Sequence, residues 1–168
     1  ASNLKTRAKK VGNKWIINGS KQFISSGESG DWCLIFAATD PDAGKKGISA
    51  FLTPTDAPGY EVVAKEDKMG QRASDLCQLT FNNLEVPPDM MLGEEGQGYR
   101  IALENLTTGR IGIAAQSTGI ARAALECARD YAKEREAFGQ VIMEYQAVSH
   151  RLADMATQVE ASHHLLLH

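Results

Sequence analysis

The segment with the most suggestive chemistry lies at residues 133–140, where a run of charged side chains is followed by an aromatic residue and a glycine. Arg135 carries a planar, permanently charged guanidinium that suits phosphate oxygens, and the adjacent ring of Phe138 can stack on a purine. The alternative is an ordinary helix end with Glu134 and Arg135 in water, which the residue types alone favour. Arg110 allows a similar pair of interpretations: it either binds the substrate or is a solvated cation.

Other groups that could do chemistry have the wrong spacing. The glycines within residues 93–98 do not follow the Gly-x-Gly-x-x-Gly pattern, so this segment is predicted to be a connector rather than a phosphate loop. His163 and His164 are neighbours and face different sides of a helix, and no carboxylate lies at metal-ligand spacing, so no metal site is predicted. Ser25 and Ser49 have no histidine at a suggestive position, which removes a nucleophilic serine.

The composition excludes several classes of protein. The 168 residues are 43% hydrophobic and 23% charged, and 18 basic against 21 acidic residues leave a net charge of −3. Nucleic acid is therefore not an expected partner, because a phosphate backbone needs a strongly basic face. The apolar runs are far shorter than the roughly 20 residues of a membrane-spanning helix. Three widely separated cysteines favour a reducing compartment over a disulfide framework.

The elements that must position these side chains change in kind along the chain. Residues 6–87 show short strands separated by turn residues, and Asn18-Gly19 predicts a hairpin turn between strands at 14–17 and 22–25. Six or seven strands without an intervening helix predict an antiparallel barrel or sandwich. The other predicted strands are a first one ending at Val11 and those at 32–37, 48–53, 60–64, 76–81 and 84–86.

After residue 98 the hydrophobic period becomes that of a helix. The first helix is predicted from near Gly98 to Lys133, and a second follows the break at residues 138–140. The fold class is therefore α+β, with a β domain at 1–92 and two long helices of an incomplete four-helix bundle at 93–168. Two helices leave apolar stripes uncovered, so the chain is predicted to be a fragment. The stripes are Ile120, Ala124, Cys127 and Tyr131, and then Val148, Leu152, Met155 and Val159.

Seven motifs follow one another in a definite order: Trp15 to Ser25, Gly47 to Leu52, Glu66 to Arg72, Val86-Pro87 with Leu92 to Gly98, Gly109 to Ala114, Arg135 to Gly139, and Leu152 to Met155. Each motif alone is weak, but the ordered set is specific. In order and spacing the set resembles the acyl-CoA dehydrogenase family over essentially the whole chain. The resemblance is strongest to short-chain and short-branched-chain members, especially bacterial ones.

The resemblance implies an FAD enzyme that oxidises an acyl-CoA thioester to its trans-2-enoyl form. It implies that Phe23, where the family more often has Trp, packs on the isoalloxazine and that Ser25 hydrogen-bonds near the flavin N5. It also implies that Arg135 and Ala137 contact the pyrophosphate of a neighbouring subunit's FAD. The full set of implied FAD-binding residues is Phe23, Ile24, Ser25, Arg135, Glu136, Ala137, Phe138, Tyr145 and Gln146.

The same resemblance implies an acyl-CoA site and a general base. Gly109 stands where some branches of the family carry the catalytic glutamate, so the base is predicted to lie outside these residues and the chain alone to be inactive. Thr107 stands where many relatives have Asp. The implied substrate-binding residues are Lys68, Thr107, Thr108, Gly109 and Arg110.

The implied partners are acyl-CoA, an electron-transfer flavoprotein and further copies of the chain in a homotetramer. The implied location is the cytoplasm of a bacterium or the mitochondrial matrix of a eukaryote. Two alternatives stay open, namely an acyl-CoA oxidase of the same superfamily and a non-catalytic scaffold module with the same fold.

Overall fold

The computed structural model describes residues 4–168, and residues 1–3 of the predicted β domain lie outside this range. The chain divides into two compact units, one up to Glu104 and one from Asn105 onward. This division falls within one continuous helix. The domain boundary between residues 92 and 93 therefore stays a prediction.

A mixed seven-stranded sheet makes up the first unit. Its strands are β1 (Arg7–Val11), β2 (Lys14–Ser25), β3 (Trp32–Ala38), β4 (Ile48–Pro54), β5 (Tyr60–Lys65), β6 (Leu76–Val86) and β7 (Met91–Leu92). Their order across the sheet is β5-β6-β2-β1-β3-β4-β7. All neighbouring strands are antiparallel except β1 and β3, which are parallel and meet at Arg7 and Ala38. β5 and β7 are edge strands, so the sheet is open and does not close into a barrel.

The predicted hairpin turn at Asn18-Gly19 is wrong, because β2 runs through it without interruption. Asn18 lies opposite Asn82 and Asn83 of β6, at a shift in the strand register. The Asn83 backbone N–H donates to Asn18 Oδ1 at 2.8 Å, and Asn18 Nδ2 donates to Asn83 Oδ1 at 3.2 Å. The long-range pairing of β2 with β6 thus replaces the local turn.

The bulge at Asn82-Asn83 also keeps both halves of β6 in the core. Leu79 and Phe81 are buried before the bulge. Leu84 and Val86 are buried after it. The buried positions change from odd to even numbers because strand side chains alternate with a period of two and the bulge inserts one extra residue.

The core of the first unit centres on Phe51 in β4, which is fully buried. Its ring packs edge-on against the ring of Trp15 in β2, with 5.4 Å between the centroids. β4 also anchors the connector before the first helix, because the Gly96 N–H donates to Ser49 Oγ at 2.9 Å. Other buried members of this core are Ile17, Ile35, Cys77, Leu79, Leu84 and Val86.

Two long helices follow the strands, which confirms the α+β class. α1 (Gly98–Glu134) begins and ends within one residue of the prediction, and α2 (Gln146–Leu167) follows a short ribbon of β8 (Glu136–Ala137) and β9 (Gln140–Val141). Within residues 4–168, neither helix combines the length and the apolar character needed to cross a bilayer. Short 3-10 helices lie at Gly44–Gly47, Pro88–Met90 and Ile142–Glu144.

The two predicted apolar stripes differ in their surroundings within the second unit. In α2, Val159 is buried and Leu152 is half-buried. In α1, Ile120 and Tyr131 are exposed, and the buried residue is Ala132 instead. Within the described residues of this unit, the stripe on α1 is therefore largely exposed, and its member Ala124 lines a cleft with Met155 and Val159 of α2.

Candidate functional site

The C-terminal end of β2 presents two predicted FAD contacts to solvent. Phe23 is 64% exposed and Ser25 is exposed, whereas Ile24 between them packs against the core. Phe23 has φ +58° and lies in a bulge, because Gln22 and Phe23 together face a single residue of β6. A bulky residue with positive φ is strained by about 1–3 kcal/mol. Nothing in the residue types or spacing of 22–25 indicates this positive φ.

The loop at residues 26–30 follows directly from Ser25 and is held by Asp75. The Ser26 N–H donates to the Asp75 carbonyl at 3.0 Å, and the Glu28 N–H donates to the Asp75 carboxylate at 2.9 Å. The hydroxyl of Ser29 donates to the other carboxylate oxygen. These contacts join the end of β2 to the beginning of β6.

The stability of this loop at acidic pH depends on the Asp75 carboxylate. Its pKa is held well below the ordinary value of a carboxyl, first by the Ser29 hydroxyl, then by the Glu28 N–H and the Cys77 thiol. A carboxyl whose folded pKa is depressed stabilises the fold above its unfolded pKa, about 4, and loses that contribution as the pH falls further.

We therefore expect Asp75→Asn to flatten the loss of stability below pH ~4. Urea unfolding followed between neutral and acidic pH measures this slope. The matched control is Glu85→Gln at the opposite end of β6, which leaves the Asp75 contacts in place and keeps the steep acid loss of the wild type. Parallel pH profiles for the wild type and Asp75→Asn would contradict the assignment.

Lys68, a predicted CoA contact, forms hydrogen bonds with backbone carbonyls of its own loop. Its ammonium donates to the carbonyls of Gln71 at 2.9 Å and Ser74 at 2.5 Å. Arg72 Nε donates back to the Lys68 carbonyl at 2.7 Å, and its guanidinium lies 3.0 Å from an Asp67 carboxylate oxygen. An ammonium has three N–H groups, so two of those on Lys68 serve the loop and one is left for a ligand.

This loop borders a cleft in the first unit. The cleft has a volume of about 330 Å³ and a strongly charged lining. Lys68 and Asp75 both belong to the lining, together with Glu28 and Ser29 from the loop after β2. The structure thus brings Lys68 to the same cleft as the loop that follows Phe23-Ile24-Ser25.

In the second unit, the predicted helix break is a tight β-hairpin. Ala137 pairs with Gln140, which leaves Phe138 and Gly139 as a two-residue loop with φ +53° and +86°. Positive φ at both central residues is typical of a type I′ turn, and it places the Phe138 side chain at 98% exposure. The guanidinium of Arg135 is exposed and forms no ion pair among residues 4–168. The hairpin therefore offers an exposed cation at its base and an exposed aromatic ring at its tip.

Tyr145 fixes this hairpin from the segment before α2. Its hydroxyl donates to the Ala137 carbonyl at 2.7 Å. The Ile142 N–H donates to the Arg135 carbonyl at 2.8 Å and closes the hairpin base. The structure thus brings Arg135, Glu136, Ala137, Phe138, Tyr145 and Gln146 into one short stretch of the second unit.

We expect Tyr145→Phe to lower the free energy of unfolding by about 1 kcal/mol, because it removes one partly buried hydrogen bond. The ring and its packing remain. Chemical denaturation measures the change, and Tyr131→Phe on an exposed part of α1 is the control. Equal stability of Tyr145→Phe and the control variant would show that the hydroxyl does not hold the hairpin.

The predicted substrate residues Thr107, Thr108, Gly109 and Arg110 lie together on an exposed part of α1. A Cβ placed on Gly109 meets no atom within 4 Å among the described residues. Glycine within a helix costs about 1 kcal/mol relative to alanine. No packing within the described part of the chain therefore requires a glycine at this position.

Comparisons with known proteins extend over both units. The family model described as "Acyl-CoA dehydrogenase, middle domain" matches residues 1–84, and the one described as "Acyl-CoA dehydrogenase, C-terminal domain" matches residues 96–168. An acyl-CoA dehydrogenase of Bacillus subtilis is 51% identical over 100% of this chain and 44% of its own length. A mitochondrial short/branched chain specific acyl-CoA dehydrogenase of Rattus norvegicus is 47% identical over 95% of this chain and 37% of its own length.

A solved structure agrees with these relatives. Butyryl-CoA dehydrogenase from Megasphaera elsdenii superposes with a TM-score of 0.95 at 44% identity, over 99% of this chain and 44% of that one. The chain therefore spans less than half the length of the relatives that it matches.

Proposed function

Because the chain belongs to the acyl-CoA dehydrogenase family, we propose that its residues form part of a flavoenzyme that oxidises an acyl-CoA thioester to the trans-2-enoyl thioester. The observation that carries this proposal is the 51% identity to an acyl-CoA dehydrogenase over the whole chain. The structural similarity to butyryl-CoA dehydrogenase supports a short acyl chain as the substrate class.

The residues present fit FAD. Phe23 offers an exposed ring for a flat apolar surface, and Ser25 offers a neutral donor next to it. The exposed guanidinium of Arg135 suits diphosphate oxygens, and the exposed ring of Phe138 suits a purine. The chemistry that bound FAD would supply is that of a hydride acceptor for the β-hydrogen of the substrate. Ser25 would donate a hydrogen bond where negative charge arrives on the ring, while Phe23 excludes water from that face.

The substrate side uses the exposed stretch Thr107 to Arg110 on α1. Gly109 permits close approach of the acyl-CoA, and Arg110 supplies a permanent positive charge. Lys68 would contribute at most one N–H to the CoA moiety, since its other two hold the loop. Its contribution to substrate affinity is therefore expected to be smaller than that of Arg110.

The α-proton must be removed by a carboxylate, and we assign that base to a part of the full-length protein outside these residues. Glu104 is exposed and lies 3.4 Å from Arg100, and Glu134 and Glu136 are exposed beside the hairpin. None of the three has the buried, ligand-facing environment of a general base among the described residues. The 168 residues alone are expected to turn over no substrate.

The partners follow from the chemistry. Two electrons must leave the reduced enzyme, and we propose an electron-transfer flavoprotein as their acceptor. Arg135 would complete the FAD site of a second copy in a homotetramer. The location would be the cytoplasm in a bacterium and the mitochondrial matrix in a eukaryote.

The test uses the full-length protein with a short-chain acyl-CoA. We expect bound FAD, bleaching of its absorbance on addition of the thioester, turnover with an artificial electron acceptor, and little peroxide. Rapid peroxide formation in air would instead identify an acyl-CoA oxidase. A protein without flavin and without turnover would overturn the enzyme assignment and favour the scaffold alternative.

A further inference from the structure

The backbone on both sides of Ser25 is strained, so it depends on surrounding contacts to keep its conformation. Phe23 has φ +58° and Ser26 has φ +56°, so Ser25 lies between two strained residues. Such residues persist only where their surroundings over-determine them. Ser25 pairs with Leu76 of β6, and the contacts that hold Ser26 and the loop after it fix the backbone on the other side of Ser25.

Three of the polar contacts on this loop converge on Asp75. Its carbonyl accepts from Ser26, and its carboxylate accepts from the Glu28 N–H and the Ser29 hydroxyl. The Cys77 thiol donates to the same carboxylate at 3.2 Å, which ties the side chain to β6. Asp75 thus joins the strand that pairs with β2 to the turn in which β2 ends.

Two further contacts limit how the loop can move. The hydroxyl of Tyr60 donates to the Gly27 carbonyl at 2.7 Å, and Lys65 forms an ion pair with Glu28. A Cβ on Gly27 would lie 2.8 Å from the Cβ of Cys77, so the loop backbone is packed directly on β6. These contacts fix the middle of the loop. Ser26, the residue next to Ser25, is held by the backbone carbonyl of Asp75 and by the Gly30 N–H, which donates to the Ser26 carbonyl at 2.9 Å.

We propose that Asp75 is a positioning residue for the flavin-binding end of β2, acting through Ser26 and the loop at residues 26–30 on the hydroxyl of Ser25. The proposal rests on the proposed function, in which Ser25 donates to the flavin. In Asp75→Asn the amide can still pair with the Glu28 N–H and the Ser29 hydroxyl, but both contacts lose the charge of the carboxylate and become weaker. The backbone carbonyl of residue 75 still accepts from Ser26. The loop at residues 28 and 29 is then held less firmly, and through it the strained Ser26 and the neighbouring Ser25 hydroxyl shift.

The experiment compares full-length holoenzymes carrying Asp75→Asn, Ser29→Ala or the control Glu85→Gln. Glu85 is an exposed acid on the same strand whose partner, Lys14, lies at the other end of β2. We measure the dissociation constant of FAD, the absorption envelope of the bound flavin and the thermal midpoint. We expect Asp75→Asn to weaken FAD about tenfold and to change the absorption envelope, and Ser29→Ala to do the same less strongly. Glu85→Gln should leave both flavin readouts unchanged.

The outcomes separate this inference from the proposed function. A wild-type protein that binds no FAD defeats the proposed function and with it the inference. A wild type that binds FAD, with Asp75→Asn matching Glu85→Gln in affinity and spectrum, defeats the inference alone. A lowered thermal midpoint with an unchanged flavin spectrum also defeats it, because that result shows a merely structural role. Should Asp75→Asn fail to fold, the spectrum of Ser29→Ala decides.

Discussion

Phe51→Ala is expected to lower the free energy of unfolding by about 3–5 kcal/mol, the usual cost of truncating a buried phenylalanine. Phe51 is fully buried in β4, and its partners are Ile35 across the β3 pairing, Met91 across the β7 pairing and the ring of Trp15. The substitution removes the edge-to-face contact and leaves a cavity between strands that cannot close together. Urea unfolding monitored by Trp fluorescence measures the loss.

The control is the same substitution at Phe138, whose ring is 98% exposed. Phe138→Ala should change stability by no more than about 0.5 kcal/mol, the range of ordinary surface substitutions. A loss below ~1 kcal/mol for Phe51→Ala would mean that the sheet repacks around the cavity, and it would contradict the central place of Phe51 in the core.

Arg135→Ala is expected to raise the dissociation constant of FAD in the full-length protein by about 10- to 150-fold. This range corresponds to the roughly 1.5–3 kcal/mol of hydrogen bonds to a charged group. Arg135 is suited to this contact because its guanidinium forms no ion pair among residues 4–168 and lies on a hairpin closed by Ile142 and Tyr145. Fluorescence titration of apoprotein with FAD measures the change.

Arg129→Ala is the matched control, because Arg129 is an exposed arginine near the end of α1 that is already paired with Asp130 at 2.8 Å. It should bind FAD as the wild type does. If the Arg135→Ala variant retained stoichiometric FAD after gel filtration, Arg135 would not hold the cofactor. This result would leave the assignment of the protein as an enzyme unchanged.

Much of the fold could be predicted because its signals are local. The change from a period of two to a period of 3.6 located the start of α1 at Gly98. The turn at Asn18-Gly19 was predicted wrongly for the opposite reason: its outcome depends on Asn83, far along the chain, which supplies the hydrogen bonds that a hairpin turn would have made locally. Strands of two residues, such as β8 and β9, are too short to show any period.

The candidate site also contains residues that could be predicted from the sequence and residues that could not. Residue type and order were enough to single out Phe23, Ser25, Arg135 and Phe138, and all four are exposed. The role of Asp75 could not be predicted, because its partners lie on a loop some 46 residues earlier in the chain. The tethering of Lys68 was hidden for another reason, since a lysine near a predicted ligand and a lysine that ties its own loop look alike in sequence.

Phe23 and Phe138 both have a positive φ, and this backbone strain affects which substitutions selection would favour at the two positions. At both positions glycine or asparagine would adopt the same backbone with less strain, and neither ring contributes much to the core. A library selected only for folding should therefore fill positions 23 and 138 with glycine and asparagine. A library selected for growth that depends on flavin chemistry should retain aromatic residues there. A position that keeps its aromatic residue only in this second library is one where ligand binding compensates for the backbone strain.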